Sequence, residues 1–90
     1  MELSEVIFID NLPKLDLHGY DRDSARVAIN DFIRDNIVMK NEIVSIIHGV
    51  GSGIIRNAVK DTLSKNRKVD DFKVFFNNRG VTIVKIKKVW

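Results

Sequence analysis

The chain contains two histidines, His18 and His48, and each closes a short apolar run and is followed at once by glycine. Imidazole is the side chain whose ordinary pKa lies nearest neutrality, so it can take up or give back a proton at working pH. After His48 the glycines come at alternate positions, in Gly49-Val50-Gly51-Ser52-Gly53, and Arg56 follows. Glycines let a backbone approach a ligand closely, and successive amides ahead of a helix form a nest for an anion. Arg56, about one turn into such a helix, adds a bidentate contact to phosphate. Asp16 precedes His18 by two, so on a strand the two share a face, roughly 6.6 Å apart. A carboxylate there orients an imidazole or satisfies backbone amides. The candidate catalytic residues are therefore Asp16, His18 and His48. The candidate phosphate-binding residues are Gly49, Gly51, Ser52, Gly53 and Arg56. The plain alternative is a helix-capping histidine beside a tight turn.

These residues need elements that bring them to one place. Leu15-Asp16-Leu17-His18 reads as a short strand, and Asp21 as the cap of a helix with Asp23 in its first turn. Ala25, Ala28, Ile29, Phe32, Ile33 and Ile37 then form one helical face. Ile43 to Ile47 is apolar throughout except Ser45, as in a strand covered on both faces. Ile54, Ile55, Ala58, Val59 and Leu63 mark a second helix that Asn66-Arg67-Lys68 ends. Phe72, Val74 and Phe76 alternate with Lys73 and Phe75 as a third strand. Asn77 to Gly80 is turn chemistry, and Val81 to Ile86 a fourth strand. The order is βαβαββ, an α/β two-layer sandwich with two helices and a mixed four-stranded sheet. Strands joined by helices are parallel and the last two form an antiparallel hairpin. His18 and His48 then share the edge where open α/β sheets hold their ligands. Residues 1–13 read as an N-terminal arm in which Val6 to Ile9 adds a short strand, and residues 14–90 as the domain.

Size and composition set the limits. Ninety residues make one domain, which buries about 60 to 65% of the surface its unfolded chain exposes. A net charge of +3 suits a polyanionic partner without demanding one. With no cysteine, disulfides and thiolate zinc sites are excluded. No secretory signal and no run of about 20 apolar residues is visible, so the expectation is a cytoplasmic protein away from membranes. Asp16, His18 and His48 without a further nearby acid make a weak metal site. No cofactor is expected, with a divalent metal as the alternative. The glycine loop lacks the third glycine of the dinucleotide fingerprint and any following Gly-Lys-Ser/Thr, so it suits the phosphates of a polymer better than a free nucleotide.

"LDLHG" before a helix, then "IIHGVGSGIIRNAV", then "GVTIVKI", together resemble the Smr (small MutS-related) domain over Leu15 to Ile86. The resemblance implies a fold similar to the C-terminal domain of bacterial translation initiation factor 3. It also implies an endonuclease, nicking DNA or cleaving RNA, as a stand-alone protein or the C-terminal part of a MutS paralogue. The first family motif falls on Leu15, Asp16, Leu17, His18 and Gly19, the second on His48, Gly49, Gly51 and Gly53 with Arg56 after it. Nothing resembles the ATPase, so ATP is not expected to be needed. Many relatives have a longer glycine-containing loop before the last strand than Asn77 to Gly80. The rival expectations are a module that docks on nucleic acid or a ribosome without cutting, and a structural or oligomerisation domain.

Overall fold

The computed structural model describes residues 1–51 and 53–90. Its elements are β1 (Lys14–Asp16), α1 (Arg22–Val38), β2 (Ile43–Ile47), α2 (Ile54–Lys65), β3 (Val69–Phe75) and β4 (Asn78–Ile86), preceded by one 3-10 turn at Leu3–Glu5. The four strands form one sheet in the order β1-β2-β4-β3. β1 and β2 are parallel, with Asp16 opposite Ile47. β4 is antiparallel to both β2 and β3. β2 and β3, joined by α2, thus run the same way with β4 between them. The α/β sandwich with a mixed sheet is as the sequence led one to expect.

Each helix forms where its apolar spacing and its cap agree. Asp21 accepts from the Ser24 amide at 2.8 Å, while the Ser24 hydroxyl accepts from the Asp21 amide at 3.1 Å, so α1 starts in a reciprocal cap. Ala25, Ile29 and Ile33 are buried on its inner face. Asn36, also buried, donates to the Phe32 carbonyl and accepts from the Asn41 side chain, so burying its amide leaves nothing unpaired. Ala58, Val59 and Leu63 hold α2 to the sheet, whereas Ile54 is 60% exposed and lies off the expected face. The helices and one sheet face enclose Leu17, Val44, Ile46, Val84 and Ile86.

The opposite sheet face is covered by the segment ahead of β1. Leu3 and Val6 are buried against Ile43, Phe75, Val81 and Ile83, with Ile9 and Leu12 packed beside them. Burying a side chain of that size stabilises by about 1.5–3 kcal/mol. β2 therefore has a core on each side, which is why its sequence is apolar almost throughout. Lys85, on this face, reaches Glu2 at 3.0 Å and Asp70 at 3.5 Å and ties the segment down. The hydrogen bond it donates to Glu2 raises the pKa of that ammonium above the ordinary lysine value.

Four expectations need correction. Val6 to Ile9 is not a strand: Val6 is turned inward by the 3-10 turn before it and cannot pair. β1 stops at Asp16, because the Asp16 side chain takes the amide of His18 and turns the chain. β3 starts three residues before Phe72, at Val69, and carries an irregularity in register between Val69 and Asp71. Asn77 to Gly80 is not all turn: Phe75 pairs with Asn78, so β4 already includes Asn78, Arg79 and Gly80.

Candidate functional site

Parallel pairing of β1 with β2 places both His-Gly junctions at one edge of the sheet. The Leu17 amide donates to the Ile47 carbonyl at 2.9 Å, so the pairing continues one residue beyond β1. His18 and His48 are the next residues on their respective strands.

The first junction is closed by local bonds. Asp16 Oδ1 accepts from the His18 amide at 3.0 Å, a side chain standing in for a turn carbonyl. Asp16 therefore satisfies a backbone amide, one of the two roles its position allowed. The Tyr20 amide donates to Leu17 O, and Asp21 then caps α1. The hydrogen bond from the Ser24 amide lowers the Asp21 pKa below its ordinary value. His18 is exposed, and among the described residues its ring makes no hydrogen bond.

The second junction is held from across the sheet. Gly80 O accepts from both the His48 amide, at 2.8 Å, and the Gly49 amide, at 3.0 Å. His48 Nδ1 lies 2.9 Å from Gly49 O and Nε2 lies 2.8 Å from Thr82 Oγ1. A carbonyl only accepts, so Nδ1 is the donor to Gly49, while the Thr82 hydroxyl can give a proton to Nε2 or accept one from it. Thr82 is buried on the helix side of the sheet, where Val84 and Ile86 also point. A Cβ on Gly80 would stand 3.2 Å from Gly49 Cα, so glycine is needed there for the two backbones to meet.

The loop then opens α2 without a side-chain cap. Gly53, at φ 90°, is the N-cap, a left-handed conformation that favours glycine. The first turn of α2 contains no acidic residue. The Arg56 guanidinium folds back, its Nη2 3.5 Å from where a Gly53 Cβ would stand. His48, Gly49, Gly51, Gly53 and Arg56 line one concavity of about 170 Å³. Uncapped amides, a positive helix end and a guanidinium make this a place for an anion.

The structure thus gathers five of the expected residues around one hollow. It leaves Asp16 and His18 at the adjoining junction, outside the lining. Asp16 lies beside Ile47, which packs with the core of the opposite face from Thr82. Among the described residues no three histidines or carboxylates stand close enough to hold a metal together. Ser52, expected to bind phosphate, lies outside the described residues. Two residues were missed. Thr82 is the one hydroxyl in the apolar run Val81 to Ile86, which was its available signal; Gly80 read only as part of a turn.

Fold and edge together define an α/β domain whose distinctive residues crowd the carboxyl ends of two parallel strands. The family model described as "Smr domain" matches residues 15–87, and the chain belongs to that family. Similar curated proteins include Endonuclease MutS2 of Staphylococcus saprophyticus, 34% identical over 77 residues, and that of Aquifex aeolicus, 37% identical over 73. These alignments cover 82% and 78% of this chain and 10% of each relative. The chain thus spans about a tenth of the length of the curated relatives it matches. In fold it matches the Smr domain of Thermus thermophilus MutS2 (TM-score 0.81, 22% identity, 84% of this chain and 99% of that one). It also matches YdaL, a stand-alone small MutS-related protein from Escherichia coli (TM-score 0.78, 23% identity, 83% and 64% covered). Among the described residues no helix is long and apolar enough to cross a membrane.

Proposed function

We propose that this domain is a nucleic-acid endonuclease that seats a phosphodiester at the carboxyl ends of β1 and β2. The observation carrying this reading is the convergence of His48, the glycine loop and Arg56 on one uncapped helix start, with His18 at the neighbouring junction. The amides of Gly51 and Gly53, with Arg56, hold the phosphate and stabilise the charge that builds on it; the Gly49 amide is already given to Gly80 O. His18, exposed and with no bond to its ring among the described residues, takes the proton from the nucleophile. That nucleophile is water or, on RNA, the neighbouring 2′-hydroxyl. His48 in its charged form gives the leaving oxygen its proton from Nε2, exchanging Thr82 for the substrate. Asp16 acts through the backbone, fixing where His18 leaves the strand. The names of the relatives supply the reaction class.

One observation favours a second reading. Both ring nitrogens of His48 are already engaged, as in a residue that only shapes the loop. The domain would then dock on phosphate without cutting. Incubating the purified chain with labelled single-stranded RNA and with supercoiled plasmid, with and without EDTA, decides between them. Cleaved products from at least one of the two substrates are expected. Binding to both with no cutting, with or without added divalent metal, leaves the docking reading.

A further inference from the structure

Two grooves beside α2 are of nearly equal size and different electrostatic character. One, of about 440 Å³, lies against the start of α1, and its Arg22 and Arg26 are balanced by Asp23 and Asp61. The other, of about 450 Å³, lies between α2 and β3. Arg56, Lys60 and Lys73 line it together with Phe72, Val74 and, at its floor, the buried Thr82. No carboxylate lines it, and among the described residues none of its three cations is in an ion pair. It is continuous with the phosphate site in two ways. Arg56 lines both hollows, and Thr82 bonds His48.

We propose that this groove carries a single strand of nucleic acid past the phosphate site, which makes an unpaired strand the substrate; the proposal rests on the phosphate-site reading above. Arg56 and Lys60 are four apart on one helix face, about 6 Å along its axis, so they meet successive phosphates of an extended strand. Lys73, between Phe72 and Val74 on β3, also contributes to the lining. Phe72 is half-buried, its inner part packed on the core beneath the helices. The part that lines the groove offers a face for one base. A paired base has both faces covered by its neighbours, so only an unpaired strand can use that surface. Uncompensated cations beside an aromatic ring are the combination that binds single strands without sequence preference. The balanced groove on the other side of α2 lacks it.

Fluorescence anisotropy on the whole chain tests this, with a labelled single-stranded oligonucleotide and the same sequence as a duplex. The wild-type protein should bind the single strand at least tenfold more tightly. Lys60→Glu with Lys73→Glu should weaken that binding by more than tenfold and flatten the slope of log affinity against log salt by about 1.4, for two lost phosphate contacts. Arg22→Glu with Arg26→Glu makes the same charge change in the balanced groove and should alter affinity less than threefold. Phe72→Leu keeps the apolar packing and loses the stacking face, so single-strand binding should fall about tenfold with duplex binding unmoved. Equal losses from the two charge-reversed pairs, or a preference for duplex, overturn the groove. If Arg56→Ala abolishes binding while the Lys60 and Lys73 pair binds like wild type, the groove falls and the phosphate site stands. If the wild-type protein binds neither oligonucleotide, both fall.

Discussion

The two strand-to-helix junctions carry the same His-Gly pair and end with opposite character. At the first, Asp16 and Asp21 occupy the backbone amides themselves, and Asp23 adds a third carboxylate to the first turn of α1. That helix start is already satisfied by the protein's own anions. At the second, the cap is a glycine with no side chain, the first turn has no acid, and Arg56 is folded over it. That start is left open, and it is where the proposed phosphate would sit. The histidines differ in the same sense. His18 is exposed and its ring unbonded among the described residues, while His48 is fixed at both nitrogens by Gly49 and the buried Thr82. A repeated motif thus marks two positions at one edge without giving them one mechanical role. Part of what separates them is local, and the Thr82 contact that fixes His48 comes from β4, more than 30 residues away in sequence.

The largest expected effect separates the histidines. His18→Ala should reduce cleavage by about 10²- to 10⁴-fold, with unfolding stability unchanged within about 0.5 kcal/mol because the side chain is on the surface. His48→Ala should lose cleavage as well and also destabilise by about 1–3 kcal/mol, since the Thr82 hydroxyl is left buried without its partner. Chemical denaturation beside a cleavage assay checks both. Equal stability for the two variants would contradict the difference drawn here.

Gly80→Ala comes next. Its new methyl would press on Gly49 Cα and on Asn78 Oδ1, each 3.2 Å away. Overpacking at this level costs about 1–3 kcal/mol, and the strain falls on the loop proposed to hold phosphate. Thermal unfolding should show the loss, and oligonucleotide affinity should drop with it.

Ile54→Glu makes the second junction resemble the first. Ile54 is exposed in the first turn of α2, so the new carboxylate meets the positive helix end. It should stabilise the fold by about 0.3–1 kcal/mol while competing with phosphate. A stability curve moving up as affinity moves down is the expected pair of results. Unchanged binding would mean that the open helix start is not where phosphate sits.

Asp16 gives a smaller effect that distinguishes charge from geometry. Asn retains an oxygen for the His18 amide and Ala does not. Asp16→Ala should cost about 0.5–1.5 kcal/mol and misplace His18, and Asp16→Asn should restore both stability and cleavage. If Asn is as inactive as Ala, the carboxylate charge itself takes part. The smallest effect is at low pH. Asp21 has a folded pKa below its unfolded one, so its contribution is complete above about pH 4. It fades as pH falls through the lowered folded value. Asp21→Asn should reduce the acid sensitivity of the α1 start, read by amide hydrogen exchange in its first turn.

The layers of the fold were legible wherever structure is local. Apolar residues three and four apart in α1, the Asp21 cap and the nearly continuous apolar run of β2 each follow from near neighbours in sequence. The covering of the second sheet face was not. Leu3, Val6, Ile9 and Leu12 recur every third residue, which matches neither the strand period of two nor the helix period of 3.6. The segment therefore read as an arm although it closes a core. The site divides in the same way. His48, the glycines and Arg56 lie within nine residues, and their convergence could be read directly. Gly80 and Thr82 act through strand pairing across more than 30 residues, and a turn-like "NNRG" concealed that β4 already begins at Asn78.

The central claim is that phosphate enters at the open start of α2 and not at the closed start of α1. The most direct measurement is an amide NMR titration of the ¹⁵N-labelled chain with a short phosphodiester oligonucleotide. The amides of Gly51, Gly53 and Arg56 should shift most and in saturable fashion, with those of Asp21 to Ser24 almost unmoved. Equal shifts at both helix starts, or shifts confined to the face covered by Leu3 and Val6, would contradict it.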